Sequence, residues 1–110
     1  MRYFAIAALI LLTNPAHAAK SVTATWYGNE LAGNRTASGE IFKPNGLTAA
    51  HRSLPFGTCL LVGNPRTGKS VRVRVNDRGP FTKGISLDLS AGAARSIGMR
   101  STQKVTMKRC

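Results

Sequence analysis

The chain has 110 residues, with 16 Lys and Arg against 4 Asp and Glu, and a formal net charge of +12. That length holds one domain and leaves no room for a doubly wound nucleotide-binding sheet. So basic a surface ordinarily suggests nucleic acid, but the N-terminus carries an export leader that takes the protein away from it.

Residues 1–18 read as a secretory signal: Arg2 supplies the positive start, residues 3–12 the apolar run, and Ala16-His17-Ala18 the cleavage site. The apolar run is shorter than the roughly 20 residues of a spanning helix. No cysteine follows the cleavage site, so a lipid anchor is not expected. The mature chain, residues 19–110, is expected to be a single soluble domain of the bacterial periplasm or medium. Its charge would hold it near anionic wall and envelope polymers, with an affinity that falls as salt rises.

Along the chain, residues 21–27 (SVTATWY) alternate and are rich in β-formers, which predicts the first strand. Residues 28–44 form a loop with one acid toward each end, Glu30 and Glu40. Residues 47–51 (LTAAH) are a short apolar piece ending in His51, the only histidine of the mature chain. Residues 56–63 predict a strand whose hairpin partner is 71–75. There Val71, Val73 and Val75 face one way and Arg72 and Arg74 the other, the two-residue period of a half-buried strand. A polar turn containing Asp77 follows. Residues 85–89 predict another strand, Ser90 caps a short helix over 91–97 stopped by Gly98, and 101–108 is the last strand. Short, closely spaced strands with one small helix argue for a compact β-barrel.

Two cysteines, Cys59 and Cys110, meet an oxidising compartment if the chain is exported, which favours a disulfide. Closing that loop contributes roughly 4 kcal/mol in the chain-entropy model. The other reading is one buried and one terminal free thiol.

Residues 63–70 (GNPRTGKS) match the phosphate-binding P-loop pattern. That site needs a helix after its lysine, with the N-terminus facing the phosphates. VRVRV follows instead, a strand by period and composition, so the reading is a hairpin loop and no nucleotide is expected. No metal or other cofactor is expected either, because no ligand spacing such as HExxH is present.

The acids are few enough to weigh singly. Glu40 reads as a loop charge, Asp77 as a turn-forming aspartate, and Asp88 as a structural acid bonded to backbone or paired with Arg78 or Arg95. Together they read differently. Cleavage of a glycosidic bond needs a carboxylic acid to protonate the leaving oxygen, and often a second carboxylate to stabilise positive charge on the sugar. Sparse acids at strand and loop ends of a barrel meet that need.

The blocks ATWYG (24–28), RTASGE (35–40), LTAAHRSLPFGT (47–58), VRVNDRGPF (73–81) and LDLSAGAARSIGM (87–99) resemble, in order and spacing, the rare lipoprotein A family. The resemblance implies a mainly β fold, a six-stranded double-psi β-barrel with one or two short helices, related to barwin and the expansins. It implies a lytic transglycosylase that cuts peptidoglycan between N-acetylmuramic acid and N-acetylglucosamine without water, leaving 1,6-anhydro ends. The family's essential acids fall on Glu40 and Asp77 and its important histidine on His51. Asp88 falls on the aspartate of the DLS motif shared with expansins. On this reading Asp77 or Asp88 is the proton donor, Glu40 stabilises the cationic sugar, and His51 holds a carboxylate. Trp26 and Tyr27 offer a stacking surface, one of them pointing into the barrel, and Thr36, Ser38 and Arg78 are further substrate contacts. Many members carry a lipid anchor and a separate glycan-binding domain, and neither is expected here. The alternative is an expansin-like module that grips wall glycan without cutting it.

Overall fold

The computed structural model describes residues 19–110, so the leader read at residues 1–18 lies outside the described residues. Six strands, β1 (Lys20–Tyr27), β2 (Thr48–Ala50), β3 (Cys59–Asn64), β4 (Lys69–Asp77), β5 (Leu87–Ser90) and β6 (Gln103–Arg109), surround one helix, α1 (Ala91–Ser96). They close into a barrel in the order β1-β5-β2-β4-β3-β6. The β1–β5 and β2–β4 pairs are parallel and the other four antiparallel. Parallel neighbours need crossing connections, and these interleave the two halves of the chain.

Alternation sets the inside. Val71, Val73 and Val75 of β4 are buried with Leu60, Val62, Leu87, Leu89 and Val105, while Arg72 and Arg74 face out. The helix seals one end of this core with Ala93, Ala94 and Ile97. Its cap is doubly used: Ser90 Oγ accepts from the Ala93 N–H and donates to the Gly46 carbonyl. The start of α1 is thereby fastened to the segment entering β2. Gly98 adopts φ 70°, a left-handed stop that suits glycine.

The disulfide forms: Cys59 and Cys110 are joined with their Cα atoms 5.4 Å apart. It continues the β3–β6 ladder one step past the Leu60–Arg109 pair.

Several boundaries move. The strand expected from residue 56 begins at Cys59, because residues 55–58 turn: Thr58 N–H bonds to Pro55 O, and Gly57 takes φ 90°. The strand expected over 85–89 runs Leu87–Ser90, so Ser90 ends a strand and caps a helix at once. The helix ends at Ser96, not residue 97. The loop 28–44 contains a 3-10 turn at Asn29–Leu31 and an Arg35–Ile41 bridge. Residues 65–68 join β3 to β4 as a hairpin, and Lys69 enters a strand with no helix behind it.

Candidate active site

The site forms where β2 lies between β4 and β5. Ala50 pairs with Asp88 on β5 and with Asp77 on β4. Side chains at paired positions project to the same face, so two carboxyls stand on either side of one alanine, about 10 Å apart at the backbone across two strand spacings. The β2–β4 register shifts by one residue after Ala49. Without the shift Ala50 would face Asn76, and Asp77 would turn inward with the valines. A bulge that re-aims one side chain thus creates the acid pair.

Asp88 is half-buried, and its Oδ1 has no protein partner. Burial first, then the neighbouring Asp77 and Glu30, push its carboxyl up to about 7. Asp77 is held differently. Its Oδ1 accepts from the Ala37 and Arg78 N–H groups, each at 2.9 Å. The first bond pins the 35–40 loop to the end of β4, and Ser38 N–H to Asn76 O at 3.2 Å repeats the contact. Tyr27 lies under both acids. Its ring stacks on Phe42 at 4.6 Å between centroids and its hydroxyl has no protein partner. Burial, then the charges of Asp77 and Asp88, raise its pKa well above the usual tyrosine value.

Glu40 is exposed and bound to Arg74 at 2.6 Å. That bond, with Asn76 next, holds its carboxyl below the usual range. The pair lines a cleft of about 470 Å³ with Arg35, Lys43, Thr48 and Asn76. Arg74 is the register partner of Thr48, two residues before Ala50, so the cleft adjoins the acid pair.

His51 does not reach a carboxyl with its ring. Nδ1 accepts from the Ser53 and Leu54 N–H groups at 3.1 Å each, while the His51 backbone N–H bonds to the Asp77 carbonyl at 3.2 Å. Burial, then Arg52 and Arg78, lower its pKa. A neutral ring accepting at Nδ1 carries its proton at Nε2, which makes His51 a donor. Arg78 also supports the loop: its Nη1 donates to Leu54 O at 2.9 Å, and its guanidinium lies 4.0 Å over the Phe56 ring. Thr36 is buried and bonds to Ser38 and to Glu40 O, shaping the loop from within.

The two aromatics part company. Tyr27 is the buried one, but on the acids' side of the strand, packed with Phe42 and Ala50 apart from the main barrel core; its face is taken by Phe42, so it offers no stacking surface. Trp26, 41% exposed, pairs with Leu89 and not Asp88, which puts it on the opposite face from the acids. Its Nε1–H bonds to Arg100 O at 3.0 Å beside a separate cavity of about 440 Å³ against α1. Asp88 is not paired with Arg78 or Arg95; Arg95 reaches Asn45 Oδ1 at 2.8 Å.

Four residues escaped the sequence reading. Glu30 acts on the Asp88 charge, Arg74 holds Glu40, and Thr48 and Asn76 are buried polar side chains each with an oxygen lacking a protein partner. The available signal was a polar residue within an apolar run, Thr48 in LTAAH, or following an alternating one, Asn76 in VRVND. Among the described residues four buried side-chain atoms have no partner: Tyr27 OH, Thr48 Oγ1, Asn76 Oδ1 and Asp88 Oδ1. All four belong to Ala50's packing partner, its own strand, or its pairing neighbours. Buried polar groups are ordinarily bonded, and these four exceptions gather around Ala50. No group of three or more His, Cys, Asp or Glu suited to a metal ion occurs among the described residues.

A closed six-stranded barrel with two parallel pairs and this rim of acids is a double-psi β-barrel. Residues 19–108 match the lytic transglycolase family, and the chain belongs to it. A probable endolytic peptidoglycan transglycosylase RlpA of Synechocystis is 61% identical over 83 residues, 76% of this chain and 26% of that protein. The endolytic peptidoglycan transglycosylase RlpA of Yersinia pestis is 44% identical over 95 residues, 86% of this chain and 26% of that protein. The chain thus spans about a quarter of the length of these relatives. Among solved structures, an apo expansin of Clavibacter michiganensis superposes with TM-score 0.66 at 24% identity, over 84% of this chain and 50% of that one. The Streptomyces papain inhibitor gives 0.65 at 19%, over 88% and 98%. These two share the fold.

Proposed function

We propose that the protein is an endolytic peptidoglycan transglycosylase, cutting the β-1,4 bond between N-acetylmuramic acid and N-acetylglucosamine to leave a 1,6-anhydro end. The observation that carries this is Asp88: a carboxyl raised to about 7, facing Asp77 across one alanine. A carboxyl held protonated beside a second carboxyl is the arrangement of an acid and its partner.

In the proposed reaction Asp88 gives its proton to the glycosidic oxygen as the C1–O bond breaks. Asp77, its Oδ1 fixed by two N–H groups, presents its other oxygen to the oxocarbenium-like sugar. The 6-hydroxyl of the same sugar then closes on C1, and its proton returns to Asp88, which is ready again. No water enters the balance. Glu40 with Arg74 orients the neighbouring sugar. His51 fixes the end of β4 through its backbone and offers Nε2–H to substrate. Thr36, Ser38 and Arg78 position the loops.

The relatives' names support peptidoglycan as substrate, and with it export to the envelope. No helix among the described residues is long and apolar enough to cross a membrane. We read the protein as periplasmic or secreted, and drawn to anionic envelope polymers by its charge.

The second reading, a wall-gripping module that breaks no bond, is favoured by the Glu40–Arg74 pair, which occupies one of the acids. Incubation with peptidoglycan sacculi, followed by mass spectrometry of the soluble fraction, decides between them. Anhydro-muropeptides that disappear in Asp88→Asn and Asp77→Asn are expected. Salt-sensitive binding with no released sugar would leave the module.

A further inference from the structure

The cleft beside the acid pair has a different chemistry from the pair itself. Its walls carry Arg35, Lys43 and Arg74 against the single carboxyl of Glu40, three cations to one anion. Arg74 is spent on Glu40 at 2.6 Å, and Arg35 Nη1 is fixed on Gly39 O at 2.8 Å. Among the described residues Lys43 has no ion pair or hydrogen bond to its side chain. Lining the same cleft are Thr48, 7% exposed, and Asn76, 3% exposed, whose Oγ1 and Oδ1 lack partners. Those two atoms are closed to solvent, so the unpaired ammonium of Lys43 is the group that asks for a ligand, and it asks for an anionic oxygen.

Position narrows the ligand. Thr48 precedes Ala50 by two residues on one strand, so the cleft lies about 7 Å along the groove from the acid pair. A glycan lying over Asp77 and Asp88 therefore reaches it with a neighbouring part of its own length. Neutral sugars supply the hydroxyls and amides but no anion. Muramic acid differs from glucosamine by a lactyl ether arm, which ends in a carboxylate or continues into an acidic stem peptide.

We infer that this cleft is a carboxylate subsite, in which Lys43 takes the anionic arm of a muramic acid residue. The inference rests on the proposed peptidoglycan reading and adds the feature by which the barrel tells a muramyl glycan from a neutral one. The carboxylate has two sources, the lactyl group of a peptide-stripped strand and the stem peptide of a substituted one.

Three uncrosslinked probes of equal length separate these: strands with stem peptides, the same strands stripped by an amidase, and a chito-oligosaccharide with no lactyl arm. Binding is measured by calorimetry in an Asp88→Asn background, which keeps the strands whole. At least one muramyl probe is expected to bind about tenfold more tightly than the neutral one, the size of one charged hydrogen bond, and the tighter of the two identifies the source. Lys43→Glu is expected to collapse that ratio toward one, and Lys43→Arg to keep it. Equal binding of all three, or a ratio that Lys43→Glu leaves intact, overturns the subsite. Release of anhydro products by the unsubstituted protein is scored separately. Products without a muramyl preference defeat the subsite and leave the activity standing. A preference without products does the reverse.

Discussion

Asp88 sits between Leu87 and Leu89, both fully buried, and this placement lifts its carboxyl. The unfolded aspartate releases its proton near 3.8 and the folded one near 7. The stability linked to that retained proton is present in full below about pH 4 and is lost as pH rises through 7. Asp88→Asn removes the charge, so at pH 8 it is expected to resist urea better than the parent, by on the order of 2 kcal/mol, and to match it near pH 4. The same variant is expected to release no anhydro product, and the parent's activity is expected to decline as pH rises past 7. A variant less stable than the parent at pH 8 would argue against a raised carboxyl. His51 makes the complementary case. His51→Ala orphans the Ser53 and Leu54 N–H groups and is expected to cost about 1–2 kcal/mol. His51→Asn keeps an acceptor there while removing the Nε2 donor. It is expected to hold its melting temperature and lose activity. At this scale the sequence was half legible. Flanking leucines marked Asp88, but nothing local marks Arg74 as the partner of Glu40, which is 34 residues away.

The period of β4 was readable because its inner face is a run of valines. β2 was not, because a three-residue strand buried throughout shows no alternation. Its register shift depends on both neighbours and leaves no mark in LTAAH. Yet that shift decides whether Asp77 faces the groove. The joint between α1 and the segment entering β2 holds this geometry, and Gly92 tests it. A Cβ there would lie 2.7 Å from Asn45 O and 2.9 Å from Asn45 Cα, and the Gly92 N–H bonds to Pro44 O at 2.8 Å. Helix propensity alone favours Gly92→Ala by about 1 kcal/mol. Backbone atoms cannot yield as a flexible side chain would, so the contact wins. Gly92→Ala is expected to lose about 1–3 kcal/mol in urea denaturation, with activity falling as β2 is displaced. A gain in stability would mean that α1 packs less closely on this segment.

Over the whole molecule, closure of the barrel turns scattered acids into neighbours, and it is what the strand pattern alone does not fix. Six strands admit many orders, and β1-β5-β2-β4-β3-β6 follows from parallel crossings that no local period encodes. The disulfide bears on this closure from the side away from Asp88. It fixes the β3–β6 seam, one step beyond Leu60–Arg109, whereas the acid pair depends on β2 lying between β4 and β5. A bridge spanning 51 residues acts mainly by limiting the unfolded chain, worth roughly 4 kcal/mol in the entropic model. Cys110→Ser is therefore expected to lower the urea midpoint substantially and to steepen the transition, because the released unfolded chain exposes more surface. Hydrogen exchange in the native state is expected to show the loss near Leu60 and Arg109, with Ala49, Ala50 and Leu89 still protected. The Glu40–Arg74 pair is the part of the site most open to the change, because Arg74 is the register partner of Cys59 across β3 and β4. A reduced protein that keeps its protection at β2 and β5 would place the acid pair in the barrel's own register. Loss of protection there before the β3–β6 seam opens would instead make the bridge part of the site's support.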